Sequence, residues 1–151
     1  MELKRVERGP AMSDADLKER TLRIFDTFNT HDAGATAAYF AANAELRDVG
    51  VAGPVVGPEQ IAAVYARHFA AMPDAHVRID RLVAEGDTVV VEWTNTGTHR
   101  GRFMGIPATG KPVSFKGVSI IRYRDSMAIA DTRVWDLAGL LRQIGLLPHQ
   151  E

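Results

Sequence analysis

At Met72-Pro73-Asp74 the apolar residues stop recurring every three or four positions and begin to alternate every second one. No other feature restricts the fold of this chain as strongly, because a period of 3.6 presents one helix face and a period of 2 presents one sheet face. On the N-terminal side, Ser13 with Asp16 three residues on forms a capping-box pattern, and Leu17, Thr21, Ile24, Phe25 and Phe28 follow helical spacing to about Thr30. Asp32 can cap a short helix over 33–40, where alanine is frequent. Residues 44–49 read as a strand, and Gly50, Gly53, Pro54, Gly57 and Pro58 as a turn region. A further helix follows, with Ile61, Val64, Tyr65, His68 and Phe69 in one stripe.

Beyond Asp74, runs 76–84 and 88–99 are rich in β-formers and are joined by Glu85-Gly86-Asp87, a tight-turn signal. A loop at 100–111 precedes two more strands, 112–124 and about 127–135, which flank Asp125-Ser126. A final helix is capped by Asp136, carries Leu137, Leu140, Leu141 and Ile144 on one face, and stops at Gly145. Helices, then long hairpins, then a helix predict an α+β fold. Residues 1–12 read as a flexible leader, with Met12 as an alternative start, and 13–151 as a single domain.

Bulk properties narrow the function. Eighteen basic and nineteen acidic residues give a net charge of −1, so nothing in the charge balance calls for nucleic acid or an anionic membrane as partner. There is no cysteine, which excludes disulfides, thiolate metal sites and a cysteine nucleophile. No apolar run approaches the ~20 residues of a membrane span, and the N-terminus lacks a signal-peptide core. The expected address is the cytoplasm. His31, His68, His76, His99 and His149 form no HxxxH or HxH pair, so a metal site is not expected.

Alternation splits each strand into two sides. Val113, Phe115, Gly117, Ser119, Ile121 and Tyr123 share one; so do Val89, Val91, Trp93, Asn95, Gly97 and His99; so do Ile129, Asp131, Arg133 and Trp135. If all three sides face the helices, a bent sheet encloses an apolar space with a few polar groups, a pocket for a hydrophobic small molecule. The alternative is a filled core with Asp131 and Arg133 paired near its rim.

The segment from Gly97 to Lys111, GTHRGRFMGIPATGK, resembles the GTHxGxFxGIPPTGK signature of the SnoaL-like polyketide and ester cyclases. WDLAGLLRQIG, starting at Trp135, is similar to that family's closing helix, and FNTHD from Phe28 and the Gly57-Pro58 helix start also match. The resemblance implies the cone-shaped nuclear-transport-factor-2-like fold, with N-terminal helices packed on a strongly curved mixed sheet, a C-terminal helix and a homodimer formed through the sheet. It also implies intramolecular aldol ring closure without cofactor. The cyclases' acid/base Asp, on the last strand, falls at Arg133, and a His of theirs falls at Ser119.

Enolisation needs a base near a C–H and a donor near the developing oxyanion. Asp48, Asp131 and His99 are the candidate catalytic groups. Asp48 shares a side with Leu46 but also starts a turn; Asp131 has Arg133 for an ion pair; His99 ends its strand, where a surface role suits it equally. Arg133 is either neutralised by Asp131 or Asp48 or awaits an anionic ligand. Ser119, Trp93, Trp135, Phe115 and Tyr123 are candidate binding residues, though core packing accounts for the aromatics as well. Three functions stay open: a cyclase-type acid–base enzyme on a carbonyl compound, a binding protein that has lost its base, and an isomerase or epoxide hydrolase of related fold.

Overall fold

The computed structural model describes residues 11–51 and 53–150. The expected leader lies, but for its last two residues, outside them. Four helices and six strands follow in chain order: α1 (Asp14–Phe28), α2 (Ala33–Ala37), β1 (Phe40–Asp48), β2 (Val55–Val56), α3 (Pro58–Ala71), β3 (His76–Glu85), β4 (Thr88–Thr98), β5 (Pro112–Arg124), β6 (Met127–Trp135) and α4 (Leu137–Gln143). The strands form one mixed sheet in the order β2-β1-β6-β5-β4-β3, parallel only between β1 and β6. The α+β cone expected from the sequence is thus present.

Local chemistry sets the element ends. The Ser13 Oγ accepts from the Asp16 N–H at 3.1 Å while the Asp16 carboxylate accepts from the Ser13 N–H at 3.0 Å. Asp32 and Asp136 cap α2 and α4 by accepting from the Ala35 and Gly139 N–H groups. Asn29, just after α1, exchanges two hydrogen bonds with the Val77 backbone at 2.8 and 2.9 Å, tying the helix to edge strand β3. Gln143 does the same for α4 with Ser114 of β5.

Helices α1 and α3 lie on the inner face of the sheet, against β3 and β4 and against β1. Leu17, Thr21 and Ile24 of α1 and Ile61 and Tyr65 of α3 are buried there against Leu46, Val89, Val91, Ile121 and Tyr123. Register shifts in the β3–β4, β5–β6 and β1–β6 ladders bend the sheet around them.

Three expectations need correction. The short helix ends at Ala37 rather than Phe40, and Phe40 opens a strand reaching Asp48 rather than one at 44–49, because its backbone pairs with β6 at Ala128 and its ring is buried. The turn region contains a two-residue strand, β2, held against Glu45 and Leu46. On β6 the inward side is Ala128, Asp131, Arg133 and Trp135, not Ile129, because the shift opposite Arg122 and Tyr123 inserts an extra residue.

Candidate functional site

Strand register places the inward side chains in levels. Leu46, Asp131, Ile121 and Val89 form the deepest, Asp48, Arg133, Ser119 and Val91 the next, then Trp135, Gly117 and Trp93, then Phe115 and Asn95. Between these levels and α1 and α3 is a cavity of about 540 Å³, the size of a drug-like ligand. Its mouth lies between the β1–β2 turn, with Val51 and Gly53, and the loop after β4, with Arg102 to Gly105. The cavity is open, so the filled-core alternative fails, although the ion pair it contained does form.

Aromatic side chains build the wall. Phe115 stands against Trp135 at 5.2 Å and edge-on to Trp93 at 6.1 Å between ring centroids. Gly117 leaves the room these rings take up, since a Cβ there would collide with the Trp93 indole. The Trp93 Nε1–H donates to the Ser119 Oγ at 3.0 Å, which satisfies the indole inside the wall.

The charged groups lie deeper. Arg133 donates from Nε to the Asp131 Oδ2 at 3.1 Å and from Nη2 to the Tyr65 hydroxyl at 2.6 Å. Its Nη1 has no protein partner among the described residues, and its side chain, 16% exposed, lines the cavity. Burial pulls the Arg133 pKa down, but Tyr65, Asp131 and Asp48 more than offset it and leave the guanidinium firmly charged. Burial raises the Asp131 pKa against the lowering effect of Arg133. The same desolvation pushes the Tyr65 phenol up to about 12. Asp131 is held on one oxygen, and its Oδ1 is buried without a partner. Asp48 is half-buried and lines the cavity level with Arg133 and Ser119.

Asp48, Asp131, Arg133, Ser119, Trp93, Trp135 and Phe115 therefore converge on one cavity. The other two residues singled out from the sequence lie apart from it. Tyr123 is buried in the core between the sheet and α1, below the cavity, sharing a 2.7 Å hydrogen bond with Thr21. His99 is buried under the loop, its Nδ1 2.9 Å from the Thr109 Oγ1, facing a small void beside Met72, Phe103 and Leu140. Sequence reasoning did not single out Tyr65, His68 or Asn95. His68 lines the cavity 3.1 Å from the Asn95 amide, and desolvation, then the Arg133 and His31 charges, push its pKa down to about 4. The available signal was a tyrosine and a histidine three apart on an otherwise apolar helix stripe. Among the described residues no three His, Asp or Glu side chains gather at metal-binding geometry.

Comparison with known proteins gives a consistent result. Residues 19–144 match the SnoaL-like polyketide cyclase family. Aklanonic acid methyl ester cyclase DnrD of Streptomyces peucetius is 30% identical over 139 residues, covering 86% of this chain and 89% of that protein. The crystal structure of AclR of Streptomyces galilaeus, a candidate hydroxylase, superposes with a TM-score of 0.82 at 25% identity, over 92% of this chain and 91% of the other. A candidate SnoaL-like polyketide cyclase from Jannaschia sp. CCS1 gives 0.81 at 26% identity, over 93% and 100%.

Proposed function

The chain belongs to the SnoaL-like polyketide cyclase family, and on that premise we propose that it is a cofactor-independent acid–base enzyme closing a ring in a hydrophobic carbonyl compound by intramolecular aldol addition. One observation carries the reading: a charged Arg133, braced by Asp131 and Tyr65, presents a free N–H to an apolar cavity that Asp48 also lines. Asp48 takes the proton from the carbon beside a carbonyl. The Arg133 Nη1 donates to the enolate oxygen as charge develops there. The enolate carbon then attacks a second carbonyl of the same molecule, and the new alkoxide recovers the proton from Asp48. Asp131, with one oxygen committed to Arg133 and the other buried, positions that arginine.

The test is deuterium exchange at the activated carbon of an aromatic β-keto ester. The parent protein should catalyse it, and Asp48→Asn should lower the rate by about 10²–10⁴, the usual worth of a general base. Exchange no faster than buffer, with saturable ligand uptake, would instead establish the second reading, a binding protein without a base. Arg133 in the place of the cyclases' Asp favours that reading.

The same proposal includes a homodimer, which the outer face of the sheet supports, and the cytoplasm as the address. Val83, Val90 and Ile120 are neighbours across β3, β4 and β5, and each is 39–52% exposed.

A further inference from the structure

Inside the cavity Asp131 and Arg133 cancel across their ion pair and leave the Asp48 carboxylate. At the mouth the balance is positive. Arg67 and Arg102 both line the cavity, both are exposed, and neither has a carboxylate within ion-pair distance among the described residues. The fold brings them to the same side. The Arg100 and Gly101 N–H groups each donate to the Ala71 carbonyl at 3.0 Å, docking the loop after β4 on the last turn of α3. Gly101 permits that approach, because a Cβ there would collide with the Ala70 carbonyl oxygen. Arg102 follows directly and is fixed by its Nη1 donating to the Gly105 carbonyl at 2.7 Å. Arg67 lies one turn before Ala71, on the same helix face.

We propose that Arg67 and Arg102 form an anion-recognising rim, and that the substrate is a flat apolar ketone carrying a carboxylate at the end that stays at the mouth. The proposal rests on the small-molecule reading above and names the substrate class of that site. Ser119, level with Arg133, and Phe115 stand four residues apart on β5, about 13 Å of strand. A body of three fused rings, with carbonyl and carboxylate at opposite ends, comes close to that distance, placing its reacting carbonyl among Asp48, Arg133 and Ser119 and its carboxylate beside the two guanidiniums. Guanidinium suits this task because it stays charged and offers paired donors to a carboxylate.

Quenching of Trp93 and Trp135, which line the cavity, reads out the test. The probes are 6-acetylanthracene-2-carboxylate, with its ketone and carboxylate at opposite ends of three fused rings, and its methyl ester, titrated into the parent protein and into the double variant Arg67→Gln/Arg102→Gln. At about 0.01 M ionic strength the acid should bind about fivefold to tenfold more tightly than the ester, as two exposed ion pairs allow. That ratio should fall towards one at about 1 M, where screening is short-ranged, and in the double variant at low salt. Circular dichroism of the variant checks that it is folded. Equal affinities in the parent at low salt would overturn the rim, and so would a preference for the acid that survives in the double variant. If neither probe binds, the small-molecule reading itself falls with it.

Discussion

Inside the cone, each polar side chain takes its chemistry from its immediate partners. Arg133 stays charged in an apolar wall because Asp131 and Tyr65 each accept from it; removing one member of such a pair typically costs about 3–5 kcal/mol. His68 makes the opposite choice and stays neutral, since burial and the nearby Arg133 and His31 charges hold its pKa at about 4. Folded His68 thus binds a proton less readily than in the unfolded chain. Its neutral form carries no penalty above pH 6.5, and stability is lost as pH falls from there towards 4. The loss amounts to about 3 kcal/mol at 1.36 kcal/mol per unit. Urea titrations across that window should show the slope in the parent and a shallower one in His68→Gln; matching slopes would remove His68 from the account. The strand residues of this site were legible in part, because alternation puts Asp131 with Arg133 on one side of β6 and gives Ser119 and Trp93 the mainly apolar sides of β5 and β4, while the pairing of the strands turns those sides inward together. Tyr65 and His68 were not. A helix stripe shows that a residue faces inward but not which strand it meets.

Among the elements, the loop after β4 bears most directly on the site. Phe103 and Ile106 exchange both backbone hydrogen bonds around Met104 and Gly105, which have φ of 48° and 79°, as a tight two-residue turn requires. That small hairpin forms one lip of the mouth, and its hold on α3 depends on Gly101. Gly101→Ala should lower stability by about 1–3 kcal/mol through overpacking and weaken ligand binding as well, by moving Arg102 and Phe103. Thermal melts and the same fluorescence titration check both, and an unchanged binding constant would separate the loop from the site. The element types were readable from caps and periodicity, including the bounds of β5 and β6. The end of α2 was not, because local alanine content favours helix while the pairing of Phe40 with Ala128, set by β6 nearly ninety residues later, claims the segment for strand. The extra residue in β6 was invisible for a related reason, since a bulge is defined by what lies opposite it.

For the whole molecule, the two faces of one sheet present different surfaces. The inner face lines the cavity, and the outer face leaves Val83, Val90, Ile120 and Val134 exposed. A lysine pair there, Val90→Lys with Ile120→Lys, should convert a dimer to a monomer in sedimentation experiments while leaving the inner face untouched; a parent protein already monomeric at high concentration would rule out the dimer. The sequence by itself determined the α+β class, the sides of β4 and β5, the helix caps and the family, all of which depend on neighbours within a few residues or on long contiguous motifs. Only the tertiary structure decided that the space between sheet and helices stays open, that Asp131 rather than Asp48 holds Arg133, and that His99 and Tyr123 stand outside the cavity. Those outcomes depend on how far the sheet bends and where its ladders slip, and curvature is a property of paired strands that no single strand carries.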